Sequence, residues 1–391
     1  MSKGSTLDLA KLTRRFHKQE EFAAGYAPLY AHLFGTLAHW FDGGPGDPIV
    51  DWLMAAGNGR AAFDVPLLLV AALHRDVLMG VPEAAALARF YPTVGGSADW
   101  QSPAFAGTLR EAILVRRDAL TPFIQTATVQ TNETGRGLAW VLPLLFTGWE
   151  AVHLVDLGAS AGLNLVADQR AFRLLDENEQ IIADLGLGTP PQFQTICQFG
   201  PQSSVISPQS FPHILSRTGC DIAPFRLETA VDEHTLAAFI WADHPTRLTR
   251  LREGIAALRR VNQSKSPVNL HQAALPDGLP QFLQQLPQTN DPVLIYNTYM
   301  TVYLPDKGTS MWSHVNNWAL EQNRPVIWLQ WEPLWGESRP EPPEFGWCAW
   351  TADLWQNGQH QQWQLAWVHP HGTHANFDSI AFTDYRKQTI W

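Results

Sequence analysis

The segment HLVDLGASAGLNL, residues 153–165, holds the residues whose types and spacing most directly indicate chemistry. Gly158, Ser160 and Gly162 fit the G-x-S-x-G turn that presents a nucleophilic serine in hydrolases. With Asp156 in front of them, the same residues also fit a short strand followed by a glycine-rich loop. Such a loop lets the backbone approach a nucleotide-like cofactor. The neighbouring helices and strands must position either the nucleophilic serine or the cofactor loop. Their order along the chain distinguishes these two interpretations.

The preceding chain favours the cofactor loop. Apolar residues recur at three- and four-residue spacing up to residue 148, which predicts helices, and no alternating strand pattern precedes residue 150. A hydrolase nucleophile follows several strands of its sheet, whereas Ser160 would follow the first strand. The hydrolase stays an alternative because His371 or His374 would complete the chain order Ser, Asp, His.

Strand and helix patterns alternate after residue 150. Strands are predicted at 153–158, near Asp221, and at 268–274, 292–298 and 325–333, and the Asn357-Gly358 pair predicts an antiparallel hairpin. This order predicts an α/β fold with a doubly wound, mostly parallel sheet and an antiparallel C-terminal hairpin. We predict an all-helical N-terminal domain over 1–148 that covers the substrate side, and a core domain over 149–391 with an insertion near 171–210.

Composition argues against several functional classes. The net charge is −10 and no run of Lys and Arg occurs, so a nucleic-acid partner is not expected. The N-terminus has no apolar signal-peptide core, and the longest apolar run, residues 65–73, is too short to cross a bilayer. Three widely separated cysteines form neither a disulfide framework nor a zinc motif. We expect a cytoplasmic protein without membrane contact that binds a small molecule; its oligomeric state stays open.

The pattern D-x-G-x-S-x-G from Asp156 resembles D-x-G-x-G-x-G, the first motif of class I S-adenosylmethionine-dependent methyltransferases, with serine at the middle glycine. The resemblance implies a Rossmann-like core and S-adenosylmethionine as cofactor. Asp221, at the end of the second core strand, would hold the ribose hydroxyls. Ala273-Ala274 stand where these enzymes often place an acid for the adenine amine, so that contact is predicted to be missing. The implied cofactor-binding residues are Asp156, Gly158, Ala159, Ser160, Gly162, Asn164 and Asp221.

A second resemblance covers nearly the whole chain. The segments QTNETGRG (130–137), LGASAGLNL (157–165), GCDIAP (219–224), WADHPTRLTRL (241–251), VYLP (302–305), WEP (331–333) and HG (371–372) together resemble the family called domain of unknown function 2332. This resemblance implies no particular substrate.

Ligands of open α/β sheets bind beyond the carboxyl ends of the strands. Glu332, Asn297, Tyr303 and His371 lie at such ends or in a late loop, and they are the predicted catalytic residues. Glu332, between a tryptophan and a proline, is a candidate general base or the partner of an arginine such as Arg136.

Four polar residues precede the first strand and are predicted to line the substrate side. An alternative is helix capping, for which Asn132 and Glu133 are suitable. The four residues are Gln130, Asn132, Glu133 and Arg136.

His369, His371 and His374 form a late cluster, but no carboxylate-rich partner motif accompanies them, so no metal is predicted. The sequence therefore predicts an S-adenosylmethionine-binding protein, a possible methyltransferase acting on a small molecule or a protein. One alternative is a non-catalytic binding or scaffold protein on a degenerate methyltransferase fold, favoured by Ser160 and Ala273-Ala274. The other is a hydrolase that uses Ser160 or a metal held by the histidine cluster.

Overall fold

The computed structural model describes residues 7–130, 133–188, 193–198, 211–334, 341–344 and 346–389. The chain forms two compact units. The first comprises Met1–Asn132 with Leu227–Thr249, and the second comprises Glu133–Arg226 with Arg250–Trp391. Residues 133–148, which the sequence grouped with the helical domain, therefore pack with the sheet-containing unit.

Twelve α-helices occur in the described ranges. They are α1 (Leu9–Ala24), α2 (Pro28–Asp42), α3 (Pro48–Ala56), α4 (Asp64–Leu78), α5 (Ala85–Ala88), α6 (Ala104–Thr126), α7 (Leu138–Leu144), α8 (Ala230–Ala237), α9 (Pro245–Asn262), α10 (Leu279–Gln284), α11 (Thr309–Leu320) and α12 (Ser379–Thr389).

Eleven strands accompany them in the same ranges. They are β1 (Ala151–Leu157), β2 (Phe172–Leu175), β3 (Ile181–Leu185), β4 (Phe193–Gln198), β5 (His213–Asp221), β6 (Val268–Gln272), β7 (Val293–Thr298), β8 (Val326–Glu332), β9 (Cys348–Gln356), β10 (Gln359–Val368) and β11 (His374–Phe377).

The first unit is helical, and described residues 7–130 contain no strand. Its second chain segment supplies a cap for α2: the Asp243 carboxylate accepts hydrogen bonds from Leu29 N at 2.8 Å and Tyr30 N at 3.2 Å. A carboxylate at a helix N-terminus satisfies backbone donors that the helix itself leaves unpaired. The Tyr30 ring stacks on Trp241 with centroids 5.2 Å apart. These contacts integrate residues 227–249 into the first unit.

No single described helix is both long and apolar enough to cross a membrane. Helix α4 and the segment Pro82–Ala88 are together long and apolar enough to cross a membrane, but the chain bends by 111° between them.

The second unit is built on one mixed, mostly parallel sheet with strand order β3-β2-β4-β11-β10-β9-β8-β7-β1-β5-β6. Strands β6, β5, β1, β7 and β8 are parallel neighbours. Across the sheet, these strands are the third, second, first, fourth and fifth of the five in chain order. On either side of β1 the strands follow one another in chain order, but in opposite directions. This reversal at β1 is typical of doubly wound folds. The α/β class and the mostly parallel sheet predicted from the sequence are confirmed.

The C-terminal hairpin is also confirmed. Strand β9 runs antiparallel to β8, and β10 returns beside β9. The turn between β9 and β10 has φ values of 53° at Asn357 and 72° at Gly358, the left-handed conformation that this pair adopts readily. Strand β11 then pairs antiparallel with β10 and parallel with β4. The insertion predicted near 171–210 therefore contributes β2, β3 and β4 to the same sheet rather than forming a separate element.

Two helix predictions need correction. Residues after Gly162, which resemble a helix in sequence, form a short 3-10 helix, Leu163–Gln169, with a kink at Val166. The polar segment before α7 does not start an α-helix either. Glu133 instead caps a 3-10 helix, Thr134–Gly137, by accepting a hydrogen bond from Gly135 N. Glycines at 135 and 137 weaken α-helical propensity and fit this tight turn.

Candidate functional site

The loop that follows β1 lies at the point where the strand order reverses. Gly158, Ser160 and Gly162 all have left-handed φ values, of 91°, 48° and 73°. The N–H groups of Gly158 and Ala159 donate to Cys220 O at 2.8 and 2.9 Å. Ser160 therefore adopts the backbone conformation that a glycine would take at the middle of this loop.

Asp221 fixes the same loop from the end of β5. Its Oδ2 accepts a hydrogen bond from Ser160 N at 2.9 Å, and its Oδ1 accepts one from Ala223 N at 2.9 Å. A carboxylate offers about four lone pairs, so further acceptor positions remain on this partly exposed side chain. Asp221 can therefore support the loop and still accept hydroxyl groups of a ligand.

Asp156, by contrast, points into the protein. It is buried, and its Oδ2 accepts a hydrogen bond from the Tyr296 hydroxyl on β7 at 2.8 Å. Burial raises the pKa of Asp156 to about 7, although the bond from Tyr296 lowers it. Near neutral pH this carboxyl is thus partly protonated, and it ties β1 to β7 below the loop.

Glu332, at the end of β8, is the centre of a buried hydrogen-bond network. Its Oε1 accepts hydrogen bonds from Asn297 Nδ2 at 2.8 Å and Met300 N at 2.9 Å. Its Oε2 accepts from Thr301 N at 3.1 Å and Thr301 Oγ1 at 2.8 Å. Burial raises the pKa of Glu332 while these donors lower it. Glu332 therefore positions the segment after β7, and Arg136 is not its ion-pair partner.

Asn297, in β7, and Tyr303, after it, were also predicted to be catalytic, and they have different environments. Asn297 is fully buried, and its Oδ1 accepts a hydrogen bond from Trp328 Nε1 at 2.7 Å, so both ends of its amide serve the network around Glu332. Tyr303 ends the 3-10 helix Thr301–Tyr303 with its side chain exposed.

Glu133 and His371 form an acid–imidazole pair although 238 positions separate them in the sequence. His371 Nδ1 lies 3.2 Å from Glu133 Oε2. The Glu133 side chain is 2% exposed and the His371 side chain is 24% exposed, so the imidazole is the member that reaches solvent. The two atoms lie at ion-pair distance without forming a hydrogen bond, so Glu133 places a buried carboxylate next to a partly exposed imidazole. An imidazole beside an acidic side chain is a candidate general base.

Contacts connect this pair to the loop after β1. Asn164 Nδ2, in the 3-10 helix that follows the loop, donates to Glu133 O at 3.4 Å. Arg136 Nε donates to Pro370 O at 2.9 Å, and its guanidinium lies 4.8 Å from the centre of the Tyr299 ring. These contacts bring Glu133, Arg136 and Asn164, all predicted from sequence, to one edge of the sheet.

The histidine cluster has no metal-ligand geometry. The ring centres of His369 and His371 are 5.4 Å apart, and those of His369 and His374 are 6.3 Å apart. Burial and the neighbouring histidines lower the pKa of His369 to about 4, while Glu133 opposes the shift. Among the residues whose positions are described, no three His, Cys, Asp or Glu side chains are placed to share a metal ion.

The family model of domain of unknown function 2332, described as an uncharacterized protein conserved in bacteria, matches residues 13–376. The chain belongs to this family. A search of curated proteins finds no match to this chain.

Several segments that carry the resemblance to domain of unknown function 2332 meet at this site. Gly135 leaves room for the Phe193 ring at the start of β4, and a Cβ at Gly372 would lie 3.0 Å from the same ring. The Trp331 ring also lies beside Gly372. The ETGR, WEP and HG segments therefore pack around one aromatic cluster.

Sequence reasoning missed two contributors to the site. Tyr296 carried no motif signal and Phe193 lies in the expected insertion, so only the folded arrangement identifies them. Thr301 lay in the range 297–303 that the strand ends indicated, but its contact with Glu332 was not predicted. Of the predicted substrate-binding residues, Gln130 belongs to the first unit and Asn132 lies outside the described residues.

Proposed function

We propose that this protein binds S-adenosylmethionine at the carboxyl edge of its sheet and transfers the methyl group to a small-molecule acceptor. The observation that carries the proposal is the reversal of strand order at β1. The left-handed loop Gly158–Gly162 follows β1, and Asp221 ends the neighbouring strand. Ligands of doubly wound sheets bind at this position.

The residues present fit such a cofactor in two respects. Ser160 has the left-handed backbone that favours glycine, the residue at this position of the motif it resembles, and Asp221 retains acceptor positions for ribose hydroxyls. S-adenosylmethionine, when bound, supplies a methyl group on a positively charged sulfur that a nucleophile attacks. The contributions of this chain are therefore orientation, exclusion of water and removal of a proton from the acceptor.

His371 is the proposed base. Glu133 lies on its Nδ1 side, so Nε2 would take the proton from an oxygen or nitrogen nucleophile. Glu332, which the sequence also offered as a base, already accepts four hydrogen bonds and has the role of fixing the segment after β7.

Calorimetric titration with S-adenosylmethionine and S-adenosylhomocysteine tests the cofactor directly. Asp221→Asn should weaken both, because one carboxylate oxygen becomes an amide donor. Asp118→Asn, at a side chain that is 93% exposed in the other unit, should not change binding. Ligand at 100 times its Kd adds about 2.7 kcal/mol to stability, so a thermal shift provides a second readout. If neither compound binds at millimolar concentration, the proposal is wrong.

A further inference from the structure

The guanidinium of Arg136 is a buried cation with unused donors. Arg136 is 5% exposed, and only its Nε donates a hydrogen bond, to Pro370 O. Within the part of the chain that the structure describes, neither terminal nitrogen has an acceptor and no carboxylate lies at ion-pair distance. The terminal nitrogens are not among the buried polar atoms, so they keep contact with solvent. A cation in such a deep position requires a partner from outside the protein, either water or an anion.

Neighbouring carboxylates do not meet this requirement. Glu332 accepts four hydrogen bonds from the segment after β7, and Glu133 accepts from Gly135 N and contacts His371. Both carboxylates are thus occupied by other donors, although they belong to the same edge of the sheet as Arg136.

The Tyr299 ring controls the orientation of this cation. The guanidinium lies 4.8 Å from the ring centre, and Tyr299 itself is fixed because its N–H donates to Trp331 O at 2.9 Å. With Nε held by Pro370 O, the terminal nitrogens are fixed as a planar pair of donors. Such a fork matches the two oxygens of a carboxylate.

A second unpaired donor belongs to Trp331. Trp331 Nε1 is buried, and the described residues offer it no hydrogen-bond partner. The Trp331 ring contacts the position where a Cβ of Gly372 would stand, two residues from the Pro370 carbonyl that holds Arg136. The Trp331 ring therefore borders the same short segment beside His371 as Arg136 does.

We propose that Arg136 is the receptor for the carboxylate group of a small-molecule ligand in this site. A carboxylate carries one negative charge, whereas a phosphate carries up to two and would be repelled more strongly by Glu133 and Glu332. The carboxylate has two sources to distinguish, a small molecule unrelated to the cofactor or the amino-acid part of S-adenosylmethionine. Only the second source rests on the proposed function.

The test uses calorimetry on the full chain with two pairs of probes. The first pair, without cofactor, is benzoate and its neutral analogue benzamide, with phenyl phosphate for comparison. The second pair is S-adenosylhomocysteine and methylthioadenosine, which lacks the amino-acid carboxylate. Arg136→Gln removes the cation, Arg136→Lys keeps the charge without the fork, and Arg173→Gln, in a surface ion pair with Asp184, is the control.

In the wild type the carboxylate member of at least one pair should bind about tenfold or more tightly than its partner, as for a charge-assisted hydrogen bond. Arg136→Gln should abolish that preference, Arg136→Lys should keep part of it, and Arg173→Gln should keep all of it. The pair that responds identifies the source of the carboxylate.

Three results would overturn the proposal: no preference for a carboxylate in either pair, a preference that survives Arg136→Gln, or tighter binding of phenyl phosphate than of benzoate. A benzoate preference without binding of any adenosine compound would leave this proposal standing and refute the cofactor. If S-adenosylhomocysteine binds equally well to the wild type and to Arg136→Gln, and benzoate is not preferred, the cofactor proposal stands and the carboxylate proposal is wrong.

Discussion

Replacing Asp156 by asparagine tests the electrostatics of the β1 end directly. Burial raises the pKa of this carboxyl from 3.8 to about 7 in the folded protein. The folded chain therefore holds a proton at pH values where the unfolded chain has released it. The stability that this proton contributes is full below pH 3.8 and is lost as the pH rises through 7. The difference between the two pKa values corresponds to about 4 kcal/mol in the free energy of unfolding.

The asparagine carbonyl can still accept the hydrogen bond from Tyr296, but it does not ionise. We therefore expect Asp156→Asn to gain stability relative to the wild type between about pH 4 and pH 8, by about 4 kcal/mol over the full range. The measurement is chemical denaturation followed by tryptophan fluorescence at a series of pH values. Tyr296→Phe should extend the pH dependence of the wild-type carboxyl upward, because the Tyr296 hydrogen bond lowers its pKa. Asp118→Asn is the exposed control.

The decisive quantity is the difference between the unfolding free energies of Asp156→Asn and the wild type. If that difference does not change with pH, the carboxyl titrates alike in the folded and unfolded chains. The assignment of Asp156 to a buried, partly protonated position would then be wrong.

Other consequences can be measured on the same protein. Glu332→Gln places an amide N–H₂ opposite a backbone N–H and should cost about 1–3 kcal/mol in chemical denaturation, whereas the exposed Glu321→Gln should have no effect. His74, whose pKa burial lowers to about 4, should destabilise the first unit by about 3 kcal/mol as pH falls from 6.5 through 4, and His74→Gln should remove this dependence. Ser160→Gly should leave cofactor binding and stability within about 1 kcal/mol of wild type, whereas fluorophosphonate labelling of Ser160 would instead support the hydrolase. Burial raises the pKa of all three thiols, so a thiol reagent should modify them only after unfolding: Cys197, Cys220 and Cys348.

Local patterns in the sequence predicted much of the fold. Parallel strands buried on both faces appear as short apolar runs, and β1, β7 and β8 were located in this way. The Asn357-Gly358 pair predicted the hairpin, because few residues adopt the backbone angles that such a two-residue turn needs. Asp221 was predicted to lie beside the loop after β1 because carboxyl ends of parallel strands share one edge of the sheet, and it does contact Ser160 N.

Long-range pairing was not predictable in the same way. The parallel pairing of β11 with β4 joins segments about 180 positions apart, and no local period encodes such a register. The contact of Glu133 with His371 is of the same kind. Glu332 shows a further limit: its sequence neighbours indicated an apolar setting, but they could not reveal the four donors that arrive from Asn297, Met300 and Thr301.

The discontinuity of the first unit affects how this protein is made. Ala238 and Ala242 belong to the core of a unit that otherwise ends at residue 132, and Asp243 caps α2 in that unit. A ribosome must therefore synthesise the chain through residue 249 before the N-terminal helices have all their partners. Expression of the sheet-containing unit alone requires excision of 227–249 as well as 1–132. A simple N-terminal truncation would leave α8 with its apolar face exposed and prone to aggregation.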